Sequence, residues 1–147
     1  MACGRAGLAT IIRMAGYSKR TIIDKLGIKP GQRLIFLNPP AGYAQTLGAL
    51  PAGVTQVSSL RDEFDFIHAF STSRTTVERD FPRWKAHLAK TGMLWASWPK
   101  GASTIATDLS ENLIRDIGLA NGLVDVKVAA IDEDWSGLKF VWRLKDR

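Results

Sequence analysis

The stretch MLWASWPKGASTIATD at residues 93–108 constrains the fold of this chain more than any other. It opens with a mostly apolar run, residues 93–98, which is typical of a strand covered on both faces of a sheet. Pro99 ends this strand because proline supplies no amide donor to a neighbouring strand. A loop with Lys100 and Gly101 follows, and a helix is predicted to begin near Asp108. Ligands bind at such strand-to-helix passages in open α/β sheets, so the stretch also predicts a site region.

Other segments complete an alternation of strands and helices. Residues 33–38 and 64–71 are largely apolar and predict two more buried strands, with a short strand around residues 55–58. Residues 74–90 predict a helix, because apolar side chains recur there at helical spacing. A short helix is predicted at residues 21–26, ended by a glycine. This order favours an α/β fold with a mostly parallel sheet.

The end of the chain predicts a hairpin. Residues 124–132 and 138–144 both have strand patterns, and the connection between them is too short for a parallel crossover. The expected architecture is therefore a three-layer, Rossmann-like α/β domain whose mostly parallel sheet is closed by a C-terminal antiparallel hairpin. We expect residues 14–147 to form this single domain, and residues 1–13 to be a disordered extension or a mis-annotated start, since Met14 opens a natural beginning.

Charge and composition exclude several classes of protein. The net charge is +6, but the basic residues are scattered, so specific nucleic-acid binding is not indicated. The densest group lies on one predicted helix, and either a solvated face or an anionic partner would explain it; its members are Arg79, Arg83, Lys85 and Lys90. Cys3 is the single cysteine, which excludes an intramolecular disulfide and is consistent with a cytoplasmic protein. No apolar run approaches the roughly 18 residues of a membrane-spanning helix.

Several short motifs carry a family resemblance. They are LAKTGMLW at 88–95, MAGYS at 14–18, LGIKPG at 26–31, NPP at 38–40, WPK at 98–100, ATDL at 106–109, and the block from VDVK to IDEDWSGLKFV at 124–141. The first resembles the turn before the fifth strand of class I methyltransferases. The whole set resembles the small bacterial proteins of domain of unknown function 3052 (DUF3052). The resemblance implies a methyltransferase-like fold but no particular activity.

The turn after the first strand argues against an ordinary cofactor site. A nucleotide or S-adenosylmethionine site in this fold needs glycines there, so that backbone amides can approach the ligand. The chain has NPPAGY instead, and Pro39 and Pro40 lack amide donors. Amino-group methyltransferases use an Asn-Pro-Pro-aromatic motif, but Tyr43 lies too far along and the motif follows the wrong strand. A structural turn is therefore favoured, and no cofactor is assigned.

The remaining polar residues have structural explanations beside the functional ones. Lys100 is either an anion contact or an exposed loop lysine, and Asp108 is predicted to be the N-cap of its helix. His68 is expected to be a hydrogen-bonded core residue, and no metal-ligand spacing accompanies it. Trp135, at the predicted hairpin tip, either folds back on the sheet or offers a contact surface to a partner.

These observations predict a non-catalytic, methyltransferase-like domain that binds a small ligand, such as an anion, or a protein partner. Its site is expected at the carboxyl ends of the strands, where the candidate residues are Asn38, Pro39, Pro40, Ser71, Thr72, Trp98, Pro99 and Lys100. One alternative is a divergent transferase-type enzyme that uses Lys100 and Asp108 in a pocket at the same strand ends. A second alternative is nonspecific association with nucleic acid through the positive charge.

Overall fold

The computed structural model describes residues 20–147, so the predictions for residues 1–13 and for MAGYS at 14–18 lie outside the described residues. The elements in chain order are α1 (Ile22–Leu26), β1 (Arg33–Leu37), α2 (Tyr43–Leu47), β2 (Thr55–Gln56), β3 (Phe64–Phe70), α3 (Arg74–Ala86), β4 (Leu88–Pro99), α4 (Glu111–Ala120), β5 (Leu123–Ala130) and β6 (Trp135–Trp142). A short 3₁₀ turn, Leu144–Asp146, follows the last strand.

One six-stranded sheet organises the described residues, in the order β2-β1-β3-β4-β6-β5. Strands β1, β2, β3 and β4 pair in parallel, whereas β6 pairs antiparallel with both β4 and β5. The predicted α/β class, the mostly parallel sheet and the closing antiparallel hairpin are confirmed.

Helices cover both faces of the sheet and create two apolar cores. On one face, α3 and α4 contribute Val77, Phe81 and Ile114 to a core that includes Phe140 of β6. On the other face, α1 and α2 contribute Leu26 and Tyr43 to a core around Phe66 and Trp95. These are the three layers that the buried strand runs predicted.

The boundary between α3 and β4 differs from the prediction. The helix ends at Ala86 and His87 follows as its C-cap, so residues 88–90 belong to the strand. Leu88 continues the helical spacing of apolar residues, but it pairs with Phe64 of β3 and is buried there. The pairing with a neighbouring strand overrides the local helical pattern.

Asp108 does not cap α4, so that prediction is wrong. Ser110 is the N-cap, and its hydroxyl accepts a hydrogen bond from the amide of Leu113 at 3.2 Å. Asp108 Oδ1 instead accepts from the amide of Arg74 at 2.7 Å, at the beginning of α3. A carboxylate near that helix N-terminus is favourable, because the free amides and the helix dipole are positive there.

The closing hairpin turns earlier than predicted. Strand β6 already begins at Trp135, and Asp132 Oδ1 accepts from the amides of Asp134 and Trp135 at 2.8 and 2.9 Å. The aspartate therefore shapes the turn. In the described part of the chain, no helix has both the length and the apolar character needed to cross a membrane.

Candidate functional site

The site region lies where β1 and β3 end side by side. The chain leaves β1 towards β2 on one side and later returns through β3 on the other, which makes this a topological switch point. A cavity of about 330 Å³ opens there. We call it the switch-point cleft, and its lining residues are Asn38, Phe70, Ser71, Thr72, Thr76 and Trp135.

Asn38 turns the chain at the end of β1. Its φ of 53° is left-handed, a conformation that asparagine adopts more readily than most residues. Pro39 and Pro40 then line a different pocket, of about 310 Å³, together with Tyr43 and other residues of α2. The two prolines therefore reduce the number of backbone amide donors in that second pocket. They do not line the switch-point cleft, whose polar side chains are unaffected.

Ser71 is an unusual member of the cleft. The residue is only 7% exposed, and its Oγ is the one buried side-chain nitrogen or oxygen in residues 20–147 without a hydrogen-bond partner. Its backbone amide is satisfied, since it donates to the carbonyl of Ser97 at 3.1 Å. An unsatisfied buried polar group costs about 1–3 kcal/mol, so such groups call for an explanation. A ligand in the cleft would provide the missing hydrogen-bond partner of Ser71 Oγ.

Trp135 forms an aromatic wall of the cleft. It is 7% exposed, and its ring centroid lies 5.3 Å from that of Phe70 in an edge-to-face arrangement. Of the two alternatives for this residue, the structure has the tryptophan folded back on the sheet. Its use as a contact for a protein partner stays a prediction, and its position favours contact with a ligand.

A second cavity, of about 570 Å³, lies beside the end of β4. We call it the Lys100 cleft, and Trp98, Pro99, Lys100, Ser103, Ser110 and Glu111 are among its lining residues. The loop that forms it is tied to the start of α3, because Thr107 Oγ1 donates to the carbonyl of Thr72 at 2.7 Å and Asp108 accepts from Arg74. The loop that lines the Lys100 cleft therefore contacts Thr72, which lines the switch-point cleft.

The structure divides the predicted site residues among three places. Asn38, Ser71 and Thr72 lie together in the switch-point cleft with Trp135. Pro39 and Pro40 line the pocket of α2, and Trp98, Pro99 and Lys100 line the Lys100 cleft. The sequence analysis missed Phe70 and Thr76. Phe70 is the last residue of β3, and Thr76 lies in the first turn of α3. Both residues could have been assigned to the cleft from the exact end of the strand and the exact beginning of the helix.

A buried hydrogen-bond chain lies beneath the site and was not predicted beyond His68 itself. Tyr43 Oη lies 2.6 Å from His68 Nδ1, and Ser97 Oγ lies 2.7 Å from His68 Nε2. Burial lowers the pKa of His68 to about 3, so the imidazole is neutral at ordinary pH. Burial also raises the pKa of Tyr43. The chain positions α2 against β3 and β4, and its buried histidine is not available as a base.

These features define a doubly wound α/β protein with a cleft at the switch point of its sheet. Solved structures with this fold include magnesium protoporphyrin IX methyltransferase of Synechocystis with bound S-adenosylhomocysteine (11% identity, TM-score 0.57, covering 83% of this chain and 78% of that one). They also include ribosomal protein L11 methylase of Lactobacillus delbrueckii subsp. bulgaricus (15%, 0.56, 83% and 75%). A third is an S-adenosylmethionine-dependent methyltransferase of Aquifex aeolicus (14%, 0.56, 81% and 86%).

At these identities the likeness shows the fold, so the methyltransferase-like arrangement is confirmed. No family model matches the chain, and the resemblance to DUF3052 stays a prediction. No curated protein matches it either.

The comparisons correct the expectation of a non-catalytic module. That expectation, including the inclination against enzyme activity, is wrong, because the three solved structures named above are methyltransferases or methylases. The comparisons favour the transferase alternative, with its pocket at the carboxyl ends of the strands, over that expectation. The error came from treating the proline pair as a block on the whole site, whereas the prolines line a neighbouring pocket.

The switch-point cleft fits S-adenosylmethionine through side chains. Its lining offers three hydroxyls, from Ser71, Thr72 and Thr76, and the Asn38 amide, and it contains no charged group. The face of Trp135 suits a sulfonium, because aromatic rings attract cations. About twenty residues after the first turn, where nucleotide sites carry an acid for the ribose, the chain has Ser58 and Ser59. The nucleoside would therefore be held by neutral groups.

Proposed function

We propose that this protein is a transferase of the S-adenosylmethionine-dependent methyltransferase class that binds its methyl donor in the switch-point cleft. The observation that carries the proposal is the buried Ser71 hydroxyl, which lacks a protein partner at the place where ligands of this fold bind. The cavity of about 330 Å³ lies within the range of roughly 300–1,000 Å³ that small-molecule pockets occupy.

Each lining residue has a definite part in this proposal. Ser71, Thr72 and Thr76 hydrogen-bond the polar atoms of the donor, and Asn38 contributes an amide at the turn after β1. Phe70 and Trp135 exclude water, and the aromatic ring of Trp135 attracts the positive charge of the donor. The bound donor supplies an electrophilic methyl group on sulfur. These residues hold it in position, and a fixed orientation accounts for much of a transfer reaction's acceleration.

The Lys100 cleft is our proposed place for the acceptor. It adjoins the switch-point cleft through the loop that contacts Thr72 and Arg74, so an acceptor there would lie next to the methyl donor. Its hydroxyls and Lys100 suit a small polar or anionic molecule, although Glu111 at its lining limits the negative charge that it accepts. The cytoplasmic location inferred from the cysteine usage is part of the same proposal.

The test is calorimetric titration of the protein with S-adenosylmethionine and S-adenosylhomocysteine. We expect saturable binding of both compounds. Ser71→Val should weaken binding by roughly five- to tenfold, since one hydrogen bond contributes about 1–1.5 kcal/mol. Thr91→Val, which removes an exposed hydroxyl near the amino end of β4, outside the cleft, is the matched control and should leave the affinity unchanged.

Failure of the wild-type protein to bind either compound would overturn the proposal. Equal weakening by Ser71→Val and Thr91→Val would also overturn it, because the cleft would then make no specific contribution. Circular dichroism of both variants checks that each is folded. Ser71→Val should fold at least as well as the wild type, since it removes an unsatisfied buried hydroxyl.

A further inference from the structure

A group of cations lies on the face of the sheet that carries α1. Lys127 of β5 and Lys139 of β6 are register partners, so their side chains leave the sheet on one face. Lys127 Nζ donates to the carbonyl of Lys25 at 2.9 Å, and Lys139 Nζ lies 3.9 Å from where a Cβ at Gly27 would be. We call this the basic face, and its members are Arg20, Lys25, Lys29, Lys127 and Lys139.

Within residues 20–147, no carboxylate forms an ion pair with a cation of the basic face. The ion pairs of residues 20–147 involve other cations, namely Arg33, Arg74, Arg79, Arg115 and Arg143. The first nineteen residues contain no aspartate or glutamate, but they include Arg5, Arg13 and Lys19. That segment can only add to the positive charge.

The charges of the basic face are close enough to act on one another. Burial, and then the positive charges of Arg20, Lys139 and Lys25, lower the pKa of Lys127. Burial, and then Lys29, lower the pKa of Lys139. A cluster of like charges on partly buried side chains creates a local positive potential that favours an anionic partner.

The basic face continues into a shallow pocket. This cavity of about 250 Å³ shares Lys139 with the face and adds Lys90 and Arg147, beside Gly92 and Met93. Cations are thus distributed from α1, across the hairpin, to Arg147. A single small anion would contact only part of this surface, whereas a chain with repeated negative charges could follow it.

We propose that the basic face is a docking surface for a nucleic-acid strand, bound through its phosphate backbone. A strand of evenly spaced phosphates matches cations spread over several elements. A membrane is a poorer match, because the exposed apolar Val128 pairs with Leu138 and belongs to the opposite face of the sheet. The proposal is independent of the transferase activity and of the switch-point cleft.

The test is fluorescence anisotropy with a labelled 20-nucleotide poly-uridine RNA at sodium chloride concentrations from 50 to 300 mM. We expect the wild type to bind with a Kd that rises steeply with salt. Lys127→Gln/Lys139→Gln should raise the Kd by roughly twentyfold at 0.1 M salt and reduce the slope of log K against log salt by about 1.4, at about 0.7 for each single-strand phosphate contact. The matched control is Arg61→Gln/Arg83→Gln, which removes the same charge from exposed residues outside the basic face.

The proposal is overturned if the wild type fails to bind the RNA at 50 mM salt. It is also overturned if both double variants weaken binding equally, because the effect would then follow net charge alone. Binding to phosphatidylserine vesicles without binding to RNA would assign the face to a membrane and sink the proposal. The midpoint of thermal unfolding shows whether Lys127→Gln/Lys139→Gln is folded. Relief of charge repulsion offsets the lost hydrogen bond from Lys127 to the Lys25 carbonyl, so the midpoint should stay close to the wild-type value.

Discussion

His68 is the residue whose environment has the clearest thermodynamic consequence. It is completely buried between Tyr43 and Ser97, and neutral imidazole has one donor and one acceptor for these two partners. Both ring nitrogens of His68 therefore have hydrogen-bond partners within the buried core. This arrangement fastens α2, which follows the Asn38-Pro39-Pro40 turn, to the centre of the sheet.

We expect the stability of the protein to fall with decreasing pH because of His68. Its folded-state pKa of about 3 lies below the ordinary value of 6.5, so the unfolded state takes up the proton first. The free energy of unfolding should therefore decrease by about 1.4 kcal/mol per pH unit below 6.5, in addition to other groups. Urea denaturation from pH 7 to pH 4 measures this. The Tyr43→Phe/His68→Leu variant should lack that contribution, and an unchanged pH dependence in it would refute the assignment.

At the scale of elements, the approach of α4 to β6 depends on Gly118. A Cβ added at this position would collide with the Phe140 ring, which is fully buried in the core. The helix lies close to the sheet there because position 118 has no side chain. The same helix is therefore fixed at two points. Ser110 caps its beginning, and Gly118 near its end packs against Phe140.

Gly118→Ala should destabilise the protein in spite of the higher helix propensity of alanine. Propensity gains up to about 1 kcal/mol, but overpacking a core costs typically about 1–3 kcal/mol, and this collision involves a rigid ring. We expect a net loss of about 1–2 kcal/mol in chemical denaturation. Asp116→Ala, on the exposed side of α4, is the control and should stay within about 0.5 kcal/mol of wild type. Stabilisation by Gly118→Ala would contradict the close packing.

At the scale of the whole molecule, the two apolar cores share one sheet. Each sheet strand from β1 to β6 except β2 contributes buried residues to them, so residues 20–147 should unfold as one cooperative unit. The switch-point cleft and the basic face lie on this common frame. Binding at either place should therefore raise the stability of the entire unit.

Deletion of residues 1–13 should leave the midpoint of thermal unfolding unchanged to within about 2 °C. The expectation follows from the sequence, in which a domain beginning at Met14 accounts for every predicted element. Differential scanning calorimetry of the full chain and of the shortened chain measures it. A decrease of about 5 °C or more, equivalent to roughly 1.5 kcal/mol for a chain of this length, would mean that the segment packs on the domain.

The sequence by itself determined the fold class, because the largely apolar runs at residues 33–38, 64–71 and 93–98 are typical of strands covered by helices on both faces of a sheet. It also placed Asn38, Ser71 and Thr72 at strand ends. Local patterns could not determine the cap of α4, where Asp108 and Ser110 are both good capping residues and only the position of α3 decided between them.

Tertiary structure alone decided which side of the β1 turn the prolines occupy. That choice depends on the left-handed backbone of Asn38 and on the hydrogen bond between Tyr43 and His68, and the second of these joins residues distant in sequence. The same is true of the basic face, whose lysines are scattered along the chain and meet only when β5 and β6 pair beside α1. Periodicity records which face of an element is buried, but the partner across that face is set by the packing of the whole chain.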